Sequence, residues 1–560
     1  MLAGIDVGGT YTDGVLLSTQ GEVLAFAKVP TQPGAILDSL LCCLDQLIVR
    51  TGGKGISRVG ISTTLLTNAI LQANLAKTAL IVVPGPGLRQ GLYPFGITPL
   101  VLSGGIDFRG REVIPLNVPE IRDTCKNLTA QGYVGAAIAG KFAQRNNIHE
   151  LALETQLHEN CPGLSVKLSH RVRGGLNFPR RANTVYLAAA TDKLYRDFVE
   201  MVQQALWQRG IKAPFYILKA DGGTVPGGVH FENPVDCIYS GPAASLLGVT
   251  ALMAAPETTV VMDIGGTTTD LGLVLGREPL TASHGAQIGS FKTLVRSFAV
   301  NSLPIGGDTL VKVVGGKIKL TTERLGAAYC IGGPGPTPTD ALRYLGHMDY
   351  GCGEKAATAM ASLANQANCS PVDAANEIVE QAVENICRGV KTMIAQWENE
   401  PAYRVWEVLN PHRITSFSVT GVGGAAKGLV PLVAERLNTT WHLPKFALVA
   451  NAIGAALARP TFSLSLRVDT AQGVYSIPQA GIQKRWTFGP GILEKARELL
   501  QQHFGAHAGY LGVPAQDMEI VREESFNLVR GYKTEGKIVE LEMSLKAAVL
   551  FGLREERQDE

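Results

Sequence analysis

An eight-residue phrase occurs twice in this chain and constrains its fold more than any other feature. The first copy, Asp-Val-Gly-Gly-Thr-Tyr-Thr-Asp, covers residues 6–13, and the second, Asp-Ile-Gly-Gly-Thr-Thr-Thr-Asp, covers residues 263–270. Six of the eight positions are identical. Each copy stands between two apolar runs, which predicts a strand, a glycine-rich turn and a second strand. Repeats in solenoid proteins recur roughly every 20–50 residues. The much wider separation of these two copies indicates two related lobes instead.

The residue types in the phrase are those that bind a hydrated polyphosphate. Glycines let backbone N–H groups approach an anion, threonine hydroxyls add donors, and a carboxylate holds a hydrated cation beside it. A single copy has a plainer interpretation, because Gly-Gly turns are common in hairpins and an aspartate often closes an Asx turn. The repeat favours two hairpins that close on one polyphosphate.

Length and charge restrict the class of protein. A chain of 560 residues predicts three or four domains, by a prior of roughly 150 residues each. With 51 basic and 49 acidic residues, we expect neither a nucleic-acid partner nor an anionic membrane surface. No apolar run is long enough to span a bilayer, residues 1–6 lack the features of a signal peptide, and nine cysteines are dispersed as in reduced proteins. These observations predict a cytoplasmic protein.

Further elements are predicted along the chain. Residues 35–50 have helical periodicity, and residues 100–180 alternate between strands and helices, which predicts a separate parallel sheet. Ser62, Thr63 and Thr64 precede a second helix, either as caps or as ligand contacts. After residue 467 the character of the sequence changes. A helix is predicted at 492–503 and strands at 525–532 and 536–545.

A glycine-rich turn at residues 421–428 follows a predicted strand and precedes a helix. Such a turn lets the backbone lie flat against a planar ring or a ribose, and the helix N-terminus favours negative charge. Other glycine-rich loops occur at residues 220–224, 304–309 and 332–340.

In this order, the two hairpins, the GGDT loop at residues 306–309 and the GVGGAAKG turn at 421–428 resemble the phosphate and adenosine elements of the acetate kinase–sugar kinase–heat-shock chaperone–actin superfamily. Within it, residues 1–460 resemble the hydantoinase/oxoprolinase A-subunit family. The supporting motifs are STTLLTNAIL (62–71), HE (149–150), LSH (168–170), Arg181, DGG (221–223), SGPAAS (240–245) and GGPGPTPTDA (332–341).

The chain also departs from the family pattern. It has Ala-Asp-Gly-Gly at 220–223 where the family commonly has SNGG, and GGAAKG at 423–428 where the family has GGAGPLHA. The Cys and Tyr of the family's PGPxCYG loop are missing after Pro336. These differences leave the substrate unassigned.

The resemblance implies an α/β protein with two actin-like, ribonuclease H-like lobes, an ATP cleft between them, an inserted α/β module and a small C-terminal α+β region. The expected domains are the N-terminal part of the first lobe (1–95), the inserted module (96–200), the second lobe with the adenosine-binding turn (201–465) and the C-terminal region (466–560).

The resemblance also implies roles for residues. Asp6 and Asp263 are expected to be catalytic and to hold Mg²⁺ through water, and Asp308 is expected on the γ-phosphate side. ATP is expected to contact Gly8, Gly9, Thr10, Thr12, Gly265, Gly266, Thr267, Thr269, Gly306, Gly307, Gly423 and Gly424. Asp13 and Asp270 stay open between the shell of the cation and caps of the following strands.

The implied activity is that of an ATP-dependent hydrolase subunit, which activates a cyclic amide or other carbonyl substrate by phosphoryl transfer. It is expected to work with a hydantoinase B-like subunit in a homo- or hetero-oligomer. Two alternatives remain: a stand-alone small-molecule kinase, and a non-enzymatic ATPase that reactivates or scaffolds another enzyme.

Overall fold

The computed structural model describes residues 1–32, 34–51, 55–87, 93–173, 175, 177–228, 231, 233–254, 256–399, 413–487, 489, 491–510 and 518–554. The helices in these ranges are α1 Ile36–Thr51, α2 Leu65–Leu71, α3 Val118–Ala130, α4 Ile148–Asn160, α5 Ser169–Val172, α6 Phe178–Gln208, α7 Ser240–Leu252, α8 Pro338–Tyr344, α9 Gly353–Ala367, α10 Pro371–Glu398, α11 Ala426–Leu437, α12 Ala450–Leu457 and α13 Ile492–Tyr510. None of these helices is both long and apolar enough to cross a lipid bilayer.

The strands in the same ranges are β1 Leu2–Val7, β2 Tyr11–Leu17, β3 Val23–Pro30, β4 Arg58–Thr63, β5 Thr78–Val83, β6 Leu100–Val101, β7 Gly105–Ile106, β8 Glu112–Ile114, β9 Gly135–Gly140, β10 Ser165–Leu168, β11 Phe215–Leu218, β12 Thr224–Pro226, β13 Thr259–Ile264, β14 Thr269–Leu275, β15 Glu278–Pro279, β16 Gln287–Ile288, β17 Phe291–Lys292, β18 Val300–Leu303, β19 Val311–Val314, β20 Lys317–Leu320, β21 Ser418–Val422, β22 Trp441–His442, β23 Ser463–Asp469, β24 Val474–Ile477, β25 Ile482–Arg485, β26 Met518–Arg530 and β27 Lys533–Leu545.

Two mixed sheets with matching topology form the two lobes. In the first lobe the strand order is β12-β11-β4-β1-β2-β3, and β1 is antiparallel to β2 but parallel to β4. In the second lobe β13 is antiparallel to β14 and parallel to β21. Each repeated phrase therefore joins the central strand of a sheet to its antiparallel neighbour. This arrangement is the two-lobed, actin-like α/β fold that the sequence predicted.

The inserted module has its own sheet, with the order β10-β9-β5-β6 and all pairs parallel. The module begins earlier than the predicted boundary at residue 96, because β5 (Thr78–Val83) pairs with β9. The predicted second-lobe boundary at residue 201 also lies inside the first lobe, because β11 pairs with β4 and β12 with β11. Both boundaries depend on strand pairing across long insertions, which local sequence patterns do not encode.

The C-terminal region is a five-stranded antiparallel sheet, β25-β24-β23-β27-β26, covered by α13. Strand β23 begins at Ser463, slightly before the predicted boundary. Helix α13 and the last two strands extend the predicted elements by several residues. The tail then returns to both lobes, where Leu553 N–H donates to the Ala251 carbonyl and Arg554 N–H to that of Gly21.

Two helices with glycines at their contact, α7 and α12, join the lobes. A Cβ added to Gly248 would lie 2.0 Å from the carbonyl oxygen of Ala450, and one added to Gly454 would lie 1.9 Å from that of Ala244. The backbones of the two helices therefore touch. Helix α12 meets the first lobe in the same way, since a Cβ on Gly4 would lie 2.0 Å from the Ala452 carbonyl oxygen.

Candidate functional site

The tips of the two hairpins face each other across a cavity of about 380 Å³. Each tip closes with the same hydrogen bond: Gly8 N–H donates to the Tyr11 carbonyl and Gly265 N–H to the Thr268 carbonyl, both at 3.0 Å. A Cβ added to Gly9 would meet no atom within 4 Å, so this glycine borders open space. The predicted residues that line the cavity are Asp6, Gly8, Gly9, Thr10, Asp263, Gly265, Gly266, Thr267, Gly307, Asp308, Gly423 and Gly424.

Each hairpin carries a pair of carboxylates on its cleft side. Asp6 is the register partner of Asp13, and Asp263 is the register partner of Asp270. All four side chains line the cavity. Like charges directly opposite each other on neighbouring strands are destabilising, so each pair is a place where a cation or a proton is favoured.

The pKa values of these carboxyl groups reflect that crowding. Burial raises the pKa of Asp6 to about 7, and the charge of Asp13 adds to the rise, whereas hydrogen bonding by Ser62 and Asn451 opposes it. Burial also raises the pKa of Asp270 to about 7, with the charge of Asp263 adding to it. The burial and mutual repulsion of these carboxyl groups are therefore unfavourable for a full set of negative charges.

One side chain connects the two hairpins. The amide nitrogen of Asn451 donates to Oδ2 of Asp6 and to Oδ2 of Asp263, each at 3.3 Å. Ser245 Oγ also donates to Oδ2 of Asp263, at 2.5 Å. Asn451 is near the start of α12 and Ser245 is in α7, so the two helices that join the lobes also fix the orientation of the carboxylates.

Asp13 and Asp270 were left open by the sequence, and the structure places both beside the cleft. Asp13 accepts a 2.6 Å hydrogen bond from Lys28 Nζ in the adjacent strand. Asp270 is hydrogen bonded by the Ser302 side chain, which partly offsets the rise of its pKa caused by burial. Lys28 itself lines the cavity. Its ammonium group is therefore available to an anion at the edge of the first hairpin.

The loop after β18 packs against the tip of the second hairpin. Gly307 N–H donates to the Gly265 carbonyl at 2.8 Å, and Asp308 N–H to the Gly266 carbonyl at 2.7 Å. Gly306 is outside the cavity lining, and a Cβ there would lie 2.6 Å from the Gly265 carbonyl oxygen, so its role is close packing. The Asp308 carboxylate faces the cleft and is 3.3 Å from Arg324 Nη2.

The turn at residues 421–428 forms the far wall of the cavity. Gly423 has a φ of +90°, and a Cβ there would lie 2.6 Å from Oδ1 of Asp263. Gly424 would meet nothing within 4 Å. Ile331 and Met348 also line this end, which gives an apolar surface beside an exposed stretch of backbone. That combination suits a planar heterocycle.

Two predicted contact residues are turned away from the cleft. Thr12 and Thr269 are fully buried, and successive side chains of a strand point to opposite faces of its sheet. Thr12 Oγ1 is 3.0 Å from Thr31 Oγ1, and Thr269 Oγ1 donates to the Ile305 carbonyl at 2.7 Å. Their hydroxyls hold the hairpin bases in place.

The three hydroxyl residues before α2 divide between the two expected roles. Thr63 Oγ1 accepts from Leu65 N–H at 3.2 Å, which caps the helix. Thr64 makes no side-chain cap and lines the cavity instead, where its Oγ1 accepts from Asn68 Nδ2 at 3.2 Å. Ser62 Oγ donates to Ser240 Oγ at 3.2 Å, which ties β4 to the start of α7.

The residues fit a hydrated magnesium ion. Oδ1 of Asp6 is buried and accepts no hydrogen bond, so an uncompensated carboxylate oxygen is present in the cleft. Within the described ranges no group of three or more His, Cys, Asp or Glu side chains converges as a metal cage. Mg²⁺ needs no such cage, because it keeps several water ligands and uses one or two carboxylates beside substrate phosphates.

Family models match most of the chain. Residues 181–463 match the hydantoinase/oxoprolinase model, and residues 2–161 match the model of the hydantoinase/oxoprolinase N-terminal region. The chain belongs to the hydantoinase/oxoprolinase family. This confirms the resemblance read from the motifs.

Two relatives have names that state the activity of the protein to which they belong. The caprolactamase subunit alpha of Pseudomonas jessenii is 26% identical over 512 residues, which cover 83% of this chain and 72% of the relative. The acetone carboxylase beta subunit of Xanthobacter autotrophicus is 22% identical over 352 residues, covering 55% and 48%.

Solved structures agree on the fold. A nucleotide-free acetone carboxylase superposes with a TM-score of 0.73 at 18% identity, covering 99% of this chain and 88% of that one. The ATP-dependent caprolactamase from Pseudomonas jessenii gives 0.71 at 20% identity with the same coverage. The fold of these two structures therefore extends through the C-terminal region of this chain.

Some family-like motifs build the scaffold rather than the cleft. The Glu150 carboxylate is fully buried and accepts hydrogen bonds from Gly140 N–H, Ser169 Oγ, and both the N–H and Nδ1 of His170. Arg181 Nε donates to the same Ser169 hydroxyl at 3.0 Å. This network fastens the inserted module to the long helix α6.

Sequence reasoning assigned no role to Asn451, Ser245, Lys28 or Asn68, although all four contact or line the cleft. Ser245 closes the SGPAAS motif, and its position on the inner face of a helix start was a usable signal. Asn451 is the only polar residue of the α12 segment Ala450–Leu457, and a lone amide among alanines was the other signal.

Proposed function

We propose that this chain is an ATP-binding and ATP-hydrolysing subunit that activates a cyclic amide, or another carbonyl compound, by phosphoryl transfer. The observation that carries the proposal is the convergence of two hairpin tips of matching sequence and four carboxylates on one cavity, with Asn451 bonded to both hairpins. The names of the caprolactamase and acetone carboxylase relatives support the same class of reaction.

In this proposal the backbone N–H groups of residues 9–10 and 266–267 cradle the phosphates from opposite sides, since those of Gly8 and Gly265 close the turns. Gly423 and Gly424 contact the adenosine, with Met348 and Ile331 against the base. Asp6 and Asp263 hold Mg²⁺ through water, and the ion, when bound, neutralises phosphate charge. Asp308 and Lys28 face the terminal phosphate. Phosphoryl transfer needs this positioning and charge neutralisation more than covalent help from the protein.

The proposed step is a single displacement. The substrate oxygen forms a bond to the γ-phosphorus while the bond from that phosphorus to the bridging oxygen of ADP breaks, and the amide nitrogen of a lactam loses its proton to solvent. Two water molecules complete the overall reaction, in which lactam and ATP give the ring-opened amino acid, ADP and phosphate. Carboxylation of the activated carbonyl is the alternative fate, since relatives include carboxylase subunits.

A partner subunit of the hydantoinase B type is part of the proposal, because the relatives are named as single subunits. The cytoplasm is the proposed compartment. All nine cysteines carry free thiols, and disulfides are rare in that compartment.

The test compares Asp263→Asn with Asp123→Asn, a matched change at an exposed site. ATP with Mg²⁺ should raise the melting temperature of the wild type and of Asp123→Asn by several degrees, and should leave Asp263→Asn unchanged. Equal stabilisation of all three proteins would overturn the assignment of the cleft. Phosphate release that depends on a small amide or ketone, measured with the partner subunit present, then tests the reaction.

A further inference from the structure

A second cavity, of about 650 Å³, opens directly from the first. The two cavities share the residues Thr64, Asn68, Gly241, Pro242, Thr268 and Asp270. One of the four hairpin carboxylates, that of Asp270, is among these shared residues, and no residue of the turn at 421–428 is. A molecule in the second cavity therefore has its route to the terminal phosphate through this shared opening.

The walls of the second cavity are largely apolar. Phe298, Met393 and Trp397 contribute large apolar surfaces, and Asn301, Ser302 and Gln396 contribute neutral hydrogen-bonding groups. Pockets of this composition bind small, mostly apolar ligands and orient them through a few polar contacts.

Lysine and arginine are missing from the described part of the wall. The charged members among the described lining residues are limited to Asp270 and, when protonated, His284. Arg180 lies behind the His284 segment, where its Nη1 donates to the carbonyls of His284 and Thr293 at 2.5 and 3.0 Å. A carboxylate moved from water into such a cavity would lose its hydration without gaining an ion pair.

We propose that the second cavity is the acceptor site and that it selects neutral lactams or ketones against cyclic amides that carry a carboxylate. This inference rests on the proposed function and narrows its substrate class. In the bound state the substrate carbonyl points to the shared opening, where Asn68 and Thr64 are neutral hydrogen-bonding side chains that line both cavities, and the ring lies against Trp397 and Phe298.

The experiment uses two ligands with the same five-membered ring, 2-pyrrolidinone and pyroglutamate, which differ by one carboxylate. Binding to the full chain is measured by ligand-observed NMR, with and without ATP and Mg²⁺. We expect 2-pyrrolidinone to bind at least tenfold more tightly than pyroglutamate. Equal binding, tighter binding of pyroglutamate, or no binding of either ligand would overturn the proposal.

A cation added to the wall should change the preference. Gln396 is exposed at the cavity wall, so Gln396→Arg is expected to fold and to tighten pyroglutamate binding severalfold relative to 2-pyrrolidinone. Gln366→Arg adds the same charge on an exposed part of α9 outside the cavity and should leave the ratio unchanged. An equal change in both variants would refute the acceptor site.

Failure of this inference is distinguishable from failure of the proposed function. Nucleotide-dependent stabilisation is measured on the same samples without either ring compound. Stabilisation by ATP without selective binding of the neutral ring would refute only the acceptor site. Selective ring binding without any response to ATP would refute the proposed function and leave a ligand cavity.

Discussion

Asp6 and Asp263, the first residues of the two repeated phrases, accept hydrogen bonds from one and the same amide nitrogen, that of Asn451, each at 3.3 Å. The bonded atom is Oδ2 in both aspartates. The two lobes therefore share a single donor at the point where their acidic groups approach each other. Anything that changes the angle between the lobes changes these two distances together.

The first prediction concerns that shared donor. Asn451→Ala should weaken ATP·Mg²⁺ binding by about 10- to 100-fold, because hydrogen bonds to charged groups contribute about 1.5–3 kcal/mol. Isothermal titration calorimetry measures the change. Asn160→Ala, on an exposed helix end, is the control. An unchanged dissociation constant in Asn451→Ala would show that the carboxylates hold their positions without the amide.

The second prediction concerns pH. The pKa values of Asp6 and Asp270 are raised from 3.8 to about 7, so between these values the folded protein keeps protons that the unfolded chain has released. The stability that these groups contribute is fully present below about pH 4 and is lost as the pH rises through about 7, at up to about 1.4 kcal/mol per pH unit for each group. Urea unfolding of the nucleotide-free protein should show this decline. Asp270→Asn should reduce the slope, and an identical slope in the variant would contradict the assignment.

The third prediction concerns the helix contact between the lobes. Gly454→Ala places a methyl group 1.9 Å from a backbone carbonyl oxygen that cannot move away easily, so we expect a loss of about 3 kcal/mol or more. Gly505, in α13, has nothing within 4 Å of an added Cβ, and Gly505→Ala should stabilise by about 0.5–1 kcal/mol. Thermal unfolding of the two variants measures both the expected loss of stability and the expected gain. Equal effects would mean that α7 and α12 are not in backbone contact.

The fourth prediction separates binding from folding at the turn after β21. A side chain at Gly424 would extend into the cleft without meeting protein atoms, so Gly424→Val should leave the melting temperature without ligand within about 2 °C of the wild type. The Michaelis constant for ATP should rise at least tenfold. Steady-state kinetics with the partner subunit measure this constant, and an unchanged value would remove this turn from the nucleotide site.

The fifth prediction concerns the scaffold. Arg181 is fully buried and donates to Ser169 Oγ and to the carbonyls of Gly140, Lys141 and Gly175. Arg181→Ala should cost about 3–5 kcal/mol, because the buried acceptors lose their partner. Arg122→Ala, on the exposed face of α3, should cost less than about 0.5 kcal/mol. Chemical unfolding measures both. A small loss for Arg181→Ala would show that water replaces the guanidinium.

Local sequence patterns were sufficient for the hairpins, because their signal is contained within eight residues. Glycine and aspartate at the tips specify the turn, and most of the predicted residues line the cavity, while their roles toward ATP stay a prediction. The repeated phrase did not show that Thr10 lines the cavity whereas Thr12 is buried away from it. Alternation along a strand explains the difference once the strand is known to begin at Tyr11.

Long-range pairing was the part that the sequence did not reveal. β11 (Phe215–Leu218) completes a sheet whose central strand begins at Leu2, and nothing in either segment specifies the other. The same holds for Asn451, whose importance depends on two glycine contacts that bring α12 against β1 and α7. The sequence shows where the glycines are, but only the folded structure shows which backbone contacts require them.

The packing of α12 on β1 has a consequence for folding during synthesis on the ribosome. Asp6 and Asn451 are 445 residues apart, and ribosomes add about 5–20 residues per second, so the first strand waits about 20–90 s for the helix that covers it. During that interval Gly4 and Gly60 lack the Ala452 and Ala455 carbonyl groups that lie against them in the folded protein. Strand β1 is therefore synthesised long before the helix that completes its packing.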